Sequence, residues 1–466
     1  MVDKAIPERL FNSDRRYSAT APVYFLSLTI ENIRCFGSRQ ELDLSDGKGY
    51  PIQWTIILGD NGVGKTTLLQ SLVALTPVSL TPFLGELTDN VVVFPRWMGD
   101  LKIFKDWVPI RSTGDADENH TISADFFIGA KLKAGRKKGK KIRNFYVLRP
   151  GRNLPSLFKE RTDKELSGIV CFAYGASRRM GETSLSEKAT DDAFVSLFSD
   201  SAELLNAEEW LLQADYAAHA AGSVSSQKRA EKRRNEIRDV LVHLLPEVAD
   251  IRFGHFTEKQ QKPRVEVETP YGWVSLKDLS LGYKTLIAWM VDFASRMFER
   301  YPDSPNPLAE PAVVLVDEID LHLHPKWQRT LMGYLSERFP NTQFIATAHS
   351  PLVVQAAQDA NIVLLRREGD HVVIENNVEA VRNWRVDQIL TSDLFGLESA
   401  RPPETDKLLA ERTKILSKSR LTKKDRERLK ELEEQIGSLP TGETPEDIEA
   451  MDVIRRAAER LKAEGY

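Results

Sequence analysis

Residues 59–66 read Gly59-Asp60-Asn61-Gly62-Val63-Gly64-Lys65-Thr66. Glycines at this spacing let consecutive backbone N–H groups turn toward one point and cradle an anion. Lys65 adds a point charge for the β and γ phosphates of a nucleotide, and Thr66 a hydroxyl for Mg²⁺. The eight residues fit the pattern G-x-x-x-x-G-K-[ST] in full, so the expected ligand is ATP with Mg²⁺. The expected contacts are Gly59, Asn61, Gly62, Gly64, Lys65, Thr66 and Thr67. A glycine turn without a ligand is the plain alternative, and the flanking elements weigh against it. Residues 54–58 read as an apolar strand, and 66–75 as a helix that points its positive end at the anion.

A second group of residues supplies what hydrolysis needs. The run Val313-Val314-Leu315-Val316 carries Asp317 and Glu318 to the C-terminal end of a strand, where open α/β sheets bind ligands. Asp317 is expected in the Mg²⁺ shell beside Thr66. Glu318 is expected to polarise the attacking water as general base. An exposed acidic pair at a strand end is the plain alternative. Leu279-Ser280-Leu281-Gly282-Tyr283 opens an amphipathic helix, and a serine hydroxyl, glycine N–H groups and a helix N-terminus make a second anion site. An ordinary serine cap would have the same sequence. One nucleotide can hardly use both anion sites of a single chain. His349 follows another strand, residues 343–347, and His322 and His324 lie in the turn from Asp320 to Pro325. Those two histidines lack an evident third or fourth ligand, which favours a packed turn over a metal.

These residues need a frame. Val23 to Ile30 alternates as a strand with Leu26, Leu28 and Ile30 on one face. Residues 76–180 have β character. Residues 202–245 read as a helical hairpin broken at Gly222 to Ser226 and stopped by Pro246. Ile287, Met290, Val291, Ala294 and Phe298 give a helical stripe over 283–298. Residues 312–316, 343–347 and 361–365 are short apolar strands, with a helix over 325–338 between the first two. Strand, helix, strand predicts a parallel sheet covered by helices. Beyond Arg401, Thr422 and Asp425 open a helix with Leu429, Leu432 and Ile436 as its stripe, and Thr444, Pro445 and Asp447 open another.

In this order the motifs resemble the soluble RecF, SMC and OLD-like branch of the ABC ATPases. The fold class implied is α/β: a P-loop ABC-type ATPase head with a β-rich and helical insertion and a C-terminal helical segment. The resemblance implies head lobes at 20–75 and 266–400, an insertion over 76–265, and a helical assembly or docking segment over 401–466. It makes Leu279 to Tyr283 the signature, whose Ser280 and Gly282 close on a γ-phosphate held by a second subunit. It makes His349 the switch histidine that senses that phosphate, and Asp320 to Pro325 the loop that crosses the dimer interface. Arg34, with Asn32 and Phe36, falls on the first strand's approach to the nucleotide. No glutamine fits the usual link from γ-phosphate to insertion, and Arg178 or Arg179 is the candidate there. The phrases from Glu318 through Pro325 and from Phe344 through Pro351 look like Septu and retron-associated anti-phage ATPases, which work beside a separate nuclease. Tyr174-Gly175-Ala176-Ser177-Arg178 and Ala207-Glu208-Glu209-Trp210-Leu211 add to that likeness.

Composition sets limits on partners. The 466 residues carry a net charge of −4, so nucleic acid would have to meet a local basic patch. Residues Lys131–Arg143 form one, expected as a decorated hairpin tip, a DNA or RNA phosphate contact or a protein contact. Residues 228–234 form another, expected as a solvated helix face. Two cysteines, Cys35 and Cys171, fit a reducing cytoplasm. The polar N-terminus has no signal segment, and the longest apolar stretch is too short to span a bilayer. The expected protein is a cytoplasmic homodimer or higher homo-oligomer working with a separate nuclease or effector. A RecF-like clamp binding DNA directly is the alternative. A transporter motor is disfavoured because 252 positions separate Lys65 from Asp317.

Overall fold

The computed structural model describes residues 21–79, 93–95, 120–129, 132, 139–148, 166, 168–182, 193–220, 222–254, 263–376, 378, 381, 383–418 and 420–436. The chain divides into two compact units, Met1–Ile389 and Leu390–Tyr466. In the first, β1 (Val23–Glu31) and β2 (Gln40–Asp43) pair antiparallel, and β3 (Trp54–Gly59) runs into α1 (Lys65–Leu75). The short β4 (Pro77–Ser79) and β5 (Val93–Pro95) pair with each other. The long β6 (His120–Gly129) and β7 (Gly139–Leu148) complete a four-stranded sheet of order β2-β1-β6-β7. Next come β8 (Cys171–Tyr174) and the single turn α2 (Val195–Phe198). The helical hairpin α3 (Ala207–Ala220) and α4 (Val224–Leu244) follows. A small antiparallel sheet, β9 (Asp250–Gly254), β10 (Arg264–Thr269) and β11 (Gly272–Ser275), precedes the long α5 (Leu281–Arg300). Then β12 (Ala312–Val316), α6 (Pro325–Arg338), β13 (Thr342–Thr347), α7 (Pro351–Ala356), β14 (Asn361–Glu368), β15 (His371–Glu375) and α8 (Val386–Leu390) run in turn.

The main sheet has the order β15-β14-β3-β13-β12-β8. All its pairs are parallel except β14 with β15. Every residue of β12 and β13 is buried. Helices on both faces of a parallel sheet leave no solvated side, which is why these strands read as continuous apolar runs. The earliest strand, β3, lies between β13 and β14, so the chain departs from it in both directions. A crevice opens at the carboxyl ends of strands at such a switch point. An aromatic series ties α5 to the sheet: Phe172 meets Phe293, Phe293 meets Phe339, and Trp54 stacks on Phe344 at 4.3 Å.

Several expectations shift. β1 is buried on both faces, Ser27 and Thr29 included. Its register slips between Phe25 and Ser27, and the Phe25 backbone pairs with the Gln343 amide instead, at 2.9 Å in both directions. α5 starts at Leu281 rather than Tyr283, with Ser280 at its N-cap. The basic run on α4 is not simply a solvated face. Arg233 donates to the carbonyls of Phe298 and Pro302, Arg234 pairs with Asp215 at 3.0 Å, and Lys232 donates to Pro305. Most of Lys131–Arg143 lies outside the described side chains. Within it, Lys141 pairs at 2.7 Å with the buried Asp125, a structural role.

The second unit holds α9 (Pro403–Leu416) and α10 (Lys423–Ile436). Thr422 and Asp425 form the expected reciprocal cap: Thr422 N donates to Asp425 and Asp425 N to the Thr422 hydroxyl. Arg428 grips Glu411 of α9 with two bonds, and Leu432 is buried. The helix expected from Thr444, Pro445 and Asp447 lies outside the described residues.

Candidate nucleotide site

The glycine loop leaves β3 under tight steric rules. Gly59 has φ +140, and a Cβ there would lie 2.5 Å from the Leu365 carbonyl on β14. Gly64 has φ +89, and its Cβ would strike Cys35 Sγ at 2.5 Å. The loop therefore rests on the turn after β1, where Asn32 N donates to Gly37 O and Phe36 N to Ile33 O. Arg34 of that turn reaches Thr67 and Gln70 on α1, each at 3.4 Å, and Gln70 donates to Leu197 O of α2. Lys65 is only 7% exposed. Its ammonium curls back onto the carbonyls of Gly59 and Asp60, at 2.7 and 2.8 Å. Burial pushes its pKa below the usual lysine value, while Asp317 and Glu318 oppose that shift.

The first turn of α1 and the end of β13 converge on Asp317, which follows β12. Its Oδ2 accepts from the Thr66 hydroxyl at 2.6 Å, and its Oδ1 from the Thr347 hydroxyl at 2.6 Å. Thr347 Oγ1 in turn accepts from Glu318 N at 2.7 Å. A hydroxyl and a carboxylate in direct contact offer the oxygen ligands that a hard cation takes, so Thr66 and Asp317 fit Mg²⁺. Glu318 is half-buried, with a left-handed φ of +48. Behind it the Arg178 guanidinium donates to the carbonyls of Asp317 and Glu318, at 2.5 and 2.8 Å. Burial lowers the Arg178 pKa to about 10, so the guanidinium stays charged at neutral pH.

The His349 ring is exposed, and its backbone N–H is fixed by Asp320 Oδ2 at 3.0 Å. Gln328 of α6 holds the same turn, donating to the carbonyls of Asp320 and Leu323 and accepting from the Ser350 hydroxyl at 2.7 Å. His324 caps α6 through its ring and Lys326 N. Among the described residues, no group of three or more His, Cys, Asp or Glu side chains is placed to hold a metal.

Lys65, Thr66, Asp317 and Glu318 thus share one site, with Thr67 and Arg34 on its flank. Asn61 and Gly62 lie exposed at the loop tip. Ser280 and Gly282 stand apart: Ser280 is exposed, its hydroxyl caps nothing, and its carbonyl starts α5 by accepting from Lys284 N. A Cβ on Gly282 would lie 2.4 Å from the His322 carbonyl. Gly282→Ala should therefore push the His322 turn off α5 and cost about 1–3 kcal/mol. Thermal unfolding would show it as a lowered midpoint, and a wild-type midpoint would contradict this close approach. Of the two candidate arginines, Arg178, itself within residues 76–265, is fully buried and committed to carbonyls behind the carboxylates, while Arg179 O accepts from Leu204 N. Thr347, Gln70 and Gln328 are site residues that sequence reading missed, and Asp320, read as the start of an interface loop, also fixes the His349 backbone.

Residues 55–355, more than half of the chain, match the family described as "AAA domain, putative AbiEii toxin, Type IV TA system". The chain belongs to this AAA-domain family. A second AAA-domain family matches residues 27–79. The Septu protein PtuA of Bacillus mycoides (strain KBAB4) is 25% identical over 455 residues, covering 93% of this chain and 54% of that protein. The Retron Ec83 probable ATPase of Escherichia coli is 33% identical over 202 residues, covering 42% of this chain and 35% of that protein. The chain thus spans about half, or less, of the length of these curated relatives. The SMC head domain from Thermotoga maritima aligns at TM-score 0.38 with 16% identity, covering 76% of this chain and 99% of that one. No described helix is long and apolar enough to cross a membrane.

Proposed function

We propose that the chain binds ATP with Mg²⁺ in the loop Gly59–Thr66 and hydrolyses it to ADP and phosphate. The observation that carries this is the Thr66–Asp317–Thr347 contact, which brings the loop and the carboxylate strand into one buried site. Bound Mg²⁺, held by Thr66 and Asp317, would supply Lewis-acid neutralisation of phosphate charge. The chain's own residues do the rest. Gly59 to Gly64 wrap the phosphates with backbone N–H groups. Lys65 exchanges its two carbonyl contacts for β and γ oxygens. The Glu318 carboxylate accepts a proton from water as the water oxygen bonds to the γ-phosphorus and the bond to the β–γ bridging oxygen breaks. The exposed His349 ring, on a backbone fixed by Asp320, lies ready for the γ-phosphate.

The site is completed by a second copy. Ser280 keeps a free-standing hydroxyl at the N-terminus of α5, and the adjoining Leu281 is 59% exposed. In this reading 20–75 and 266–400 form the head, 76–265 the insertion and 401–466 a docking segment. The relatives named Septu protein and retron ATPase support a role as sensor or regulator in anti-phage defence, in the cytoplasm, with a separate nuclease as effector. Ser280→Arg should leave ATP binding to the single chain within about threefold of wild type and abolish ATP-driven pairing, since the long arginine side chain fills the space the approaching copy must enter. Sedimentation with and without ATP reads both states. ATP-driven pairing at wild-type strength in that variant would remove Ser280 from the site.

A further inference from the structure

Arg178 is a costly residue that the proposed reaction does not use. It is 2% exposed, and its backbone sits at φ +35, which residues with a side chain seldom adopt. Its fork reaches three carbonyls: Asp317 at 2.5 Å, Glu318 at 2.8 Å and Gly175 at 3.3 Å. The guanidinium carbon also lies 5.7 Å from the centre of the Trp289 ring, on α5. The same strand end meets α5 twice more. Tyr174 sets its ring edge-on to Trp289 at 6.1 Å, and its hydroxyl donates to the buried Asp292 at 3.0 Å. At this junction Ser177 Oγ and Trp289 Nε1 are buried without a hydrogen-bond partner among the described residues. Strain and unmatched polar atoms beside a buried cation mark a junction built for more than packing.

We infer that Arg178 is the positioning residue for Glu318, and that through Trp289 it ties the backbone of Asp317 and Glu318 to α5, the helix that begins at Ser280. This rests on the reading of Glu318 as general base. Glu318 is held from both sides: its N–H by Thr347, and its carbonyl by Arg178 at 2.8 Å together with Leu321 N–H at 3.0 Å. Its left-handed φ persists because both ends are fixed. Without the fork, the Asp317 carbonyl loses its donor and the Glu318 carbonyl keeps only the Leu321 N–H, at 3.0 Å, so the backbone relaxes and the carboxylate leaves the line of attack. A displacement of about 1 Å at such a group costs on the order of 10²-fold in rate. Lysine cannot replace the fork, because a single ammonium on a flexible stem does not span three fixed acceptors. ATP binding should survive, because Arg178 does not touch the glycine loop and the Asp317 carboxylate keeps its own ties to Thr66 and Thr347.

The test is a double-mutant cycle of Arg178→Lys and Glu318→Gln, with kcat and KM for each and ATP affinity by titration of a fluorescent ATP analogue. Arg178→Lys should lower kcat about 10- to 100-fold, with KM and affinity within about threefold of wild type. Adding it to Glu318→Gln should give no further loss, because both act on one group. Wild-type turnover in Arg178→Lys, or full additivity in the double variant, would overturn the inference and leave the base assignment intact. Wild-type turnover in Glu318→Gln would overturn the base assignment and the inference with it. Should Arg178→Lys fail to fold, Trp289→Phe tests the other limb. It should lower kcat about 3- to 10-fold at constant KM by weakening the ring–guanidinium contact, and an unchanged kcat would overturn the inference.

Discussion

Glu318→Gln is expected to slow ATP hydrolysis by about 10²- to 10⁴-fold while ATP stays bound. The amide keeps the size and the backbone of the carboxylate, so the Thr347 and Arg178 contacts to the Glu318 backbone persist. What disappears is the oxygen that takes the proton from water. The phosphate cradle is untouched, because Lys65, Thr66 and Asp317 make their contacts without the Glu318 side chain. Phosphate release and equilibrium ATP binding, measured on the same sample, separate these effects. Loss of ATP binding in this variant would mean that Glu318 belongs to the cradle instead.

The second large effect is the converse. Lys65→Ala should weaken ATP binding by about 10²-fold or more, because the phosphates lose a charge-assisted partner worth about 1.5–3 kcal/mol per bond. The lysine is already buried within the loop, and that burial lowers its pKa. It exchanges carbonyl partners for phosphate oxygens with little further burial. Calorimetric titration with Mg-ATP reads the change directly. Wild-type affinity in Lys65→Ala would place the nucleotide elsewhere.

Much of this site is legible in the sequence because its parts are local. The glycine loop declares itself in eight consecutive residues, and an all-apolar run delivers Asp317 and Glu318 within six. The helix over 325–338 is read at its observed ends because Pro325 fits a first helical turn and the stripe is regular. The contacts that finish the site are long-range. Arg178 serves residues 139 and 140 positions away, and Thr347 serves Asp317 at a separation of 30. In sequence, Thr347 is only the last residue of a strand, and Arg178 one of two adjacent arginines after a glycine turn. The left-handed backbone at Glu318 has no composition signal, since glutamate is not a residue that seeks it. Gly282 shows both sides: as a motif it marks an anion site, while in the fold it also admits the His322 carbonyl. The basic run at 228–234 is read only in part: Lys228, Arg229 and Lys232 are exposed, while charge alone does not say that Arg233 meets carbonyls and the Phe298 ring.

The paired site is tested most directly by the native mass of Glu318→Gln in the presence and absence of Mg-ATP. Blocked hydrolysis should trap the closed state, so ATP should move the mass from one chain to two, or double a pre-existing assembly. A mass that ignores ATP, at concentrations where ATP is shown to bind, would contradict closure of two copies on the nucleotide.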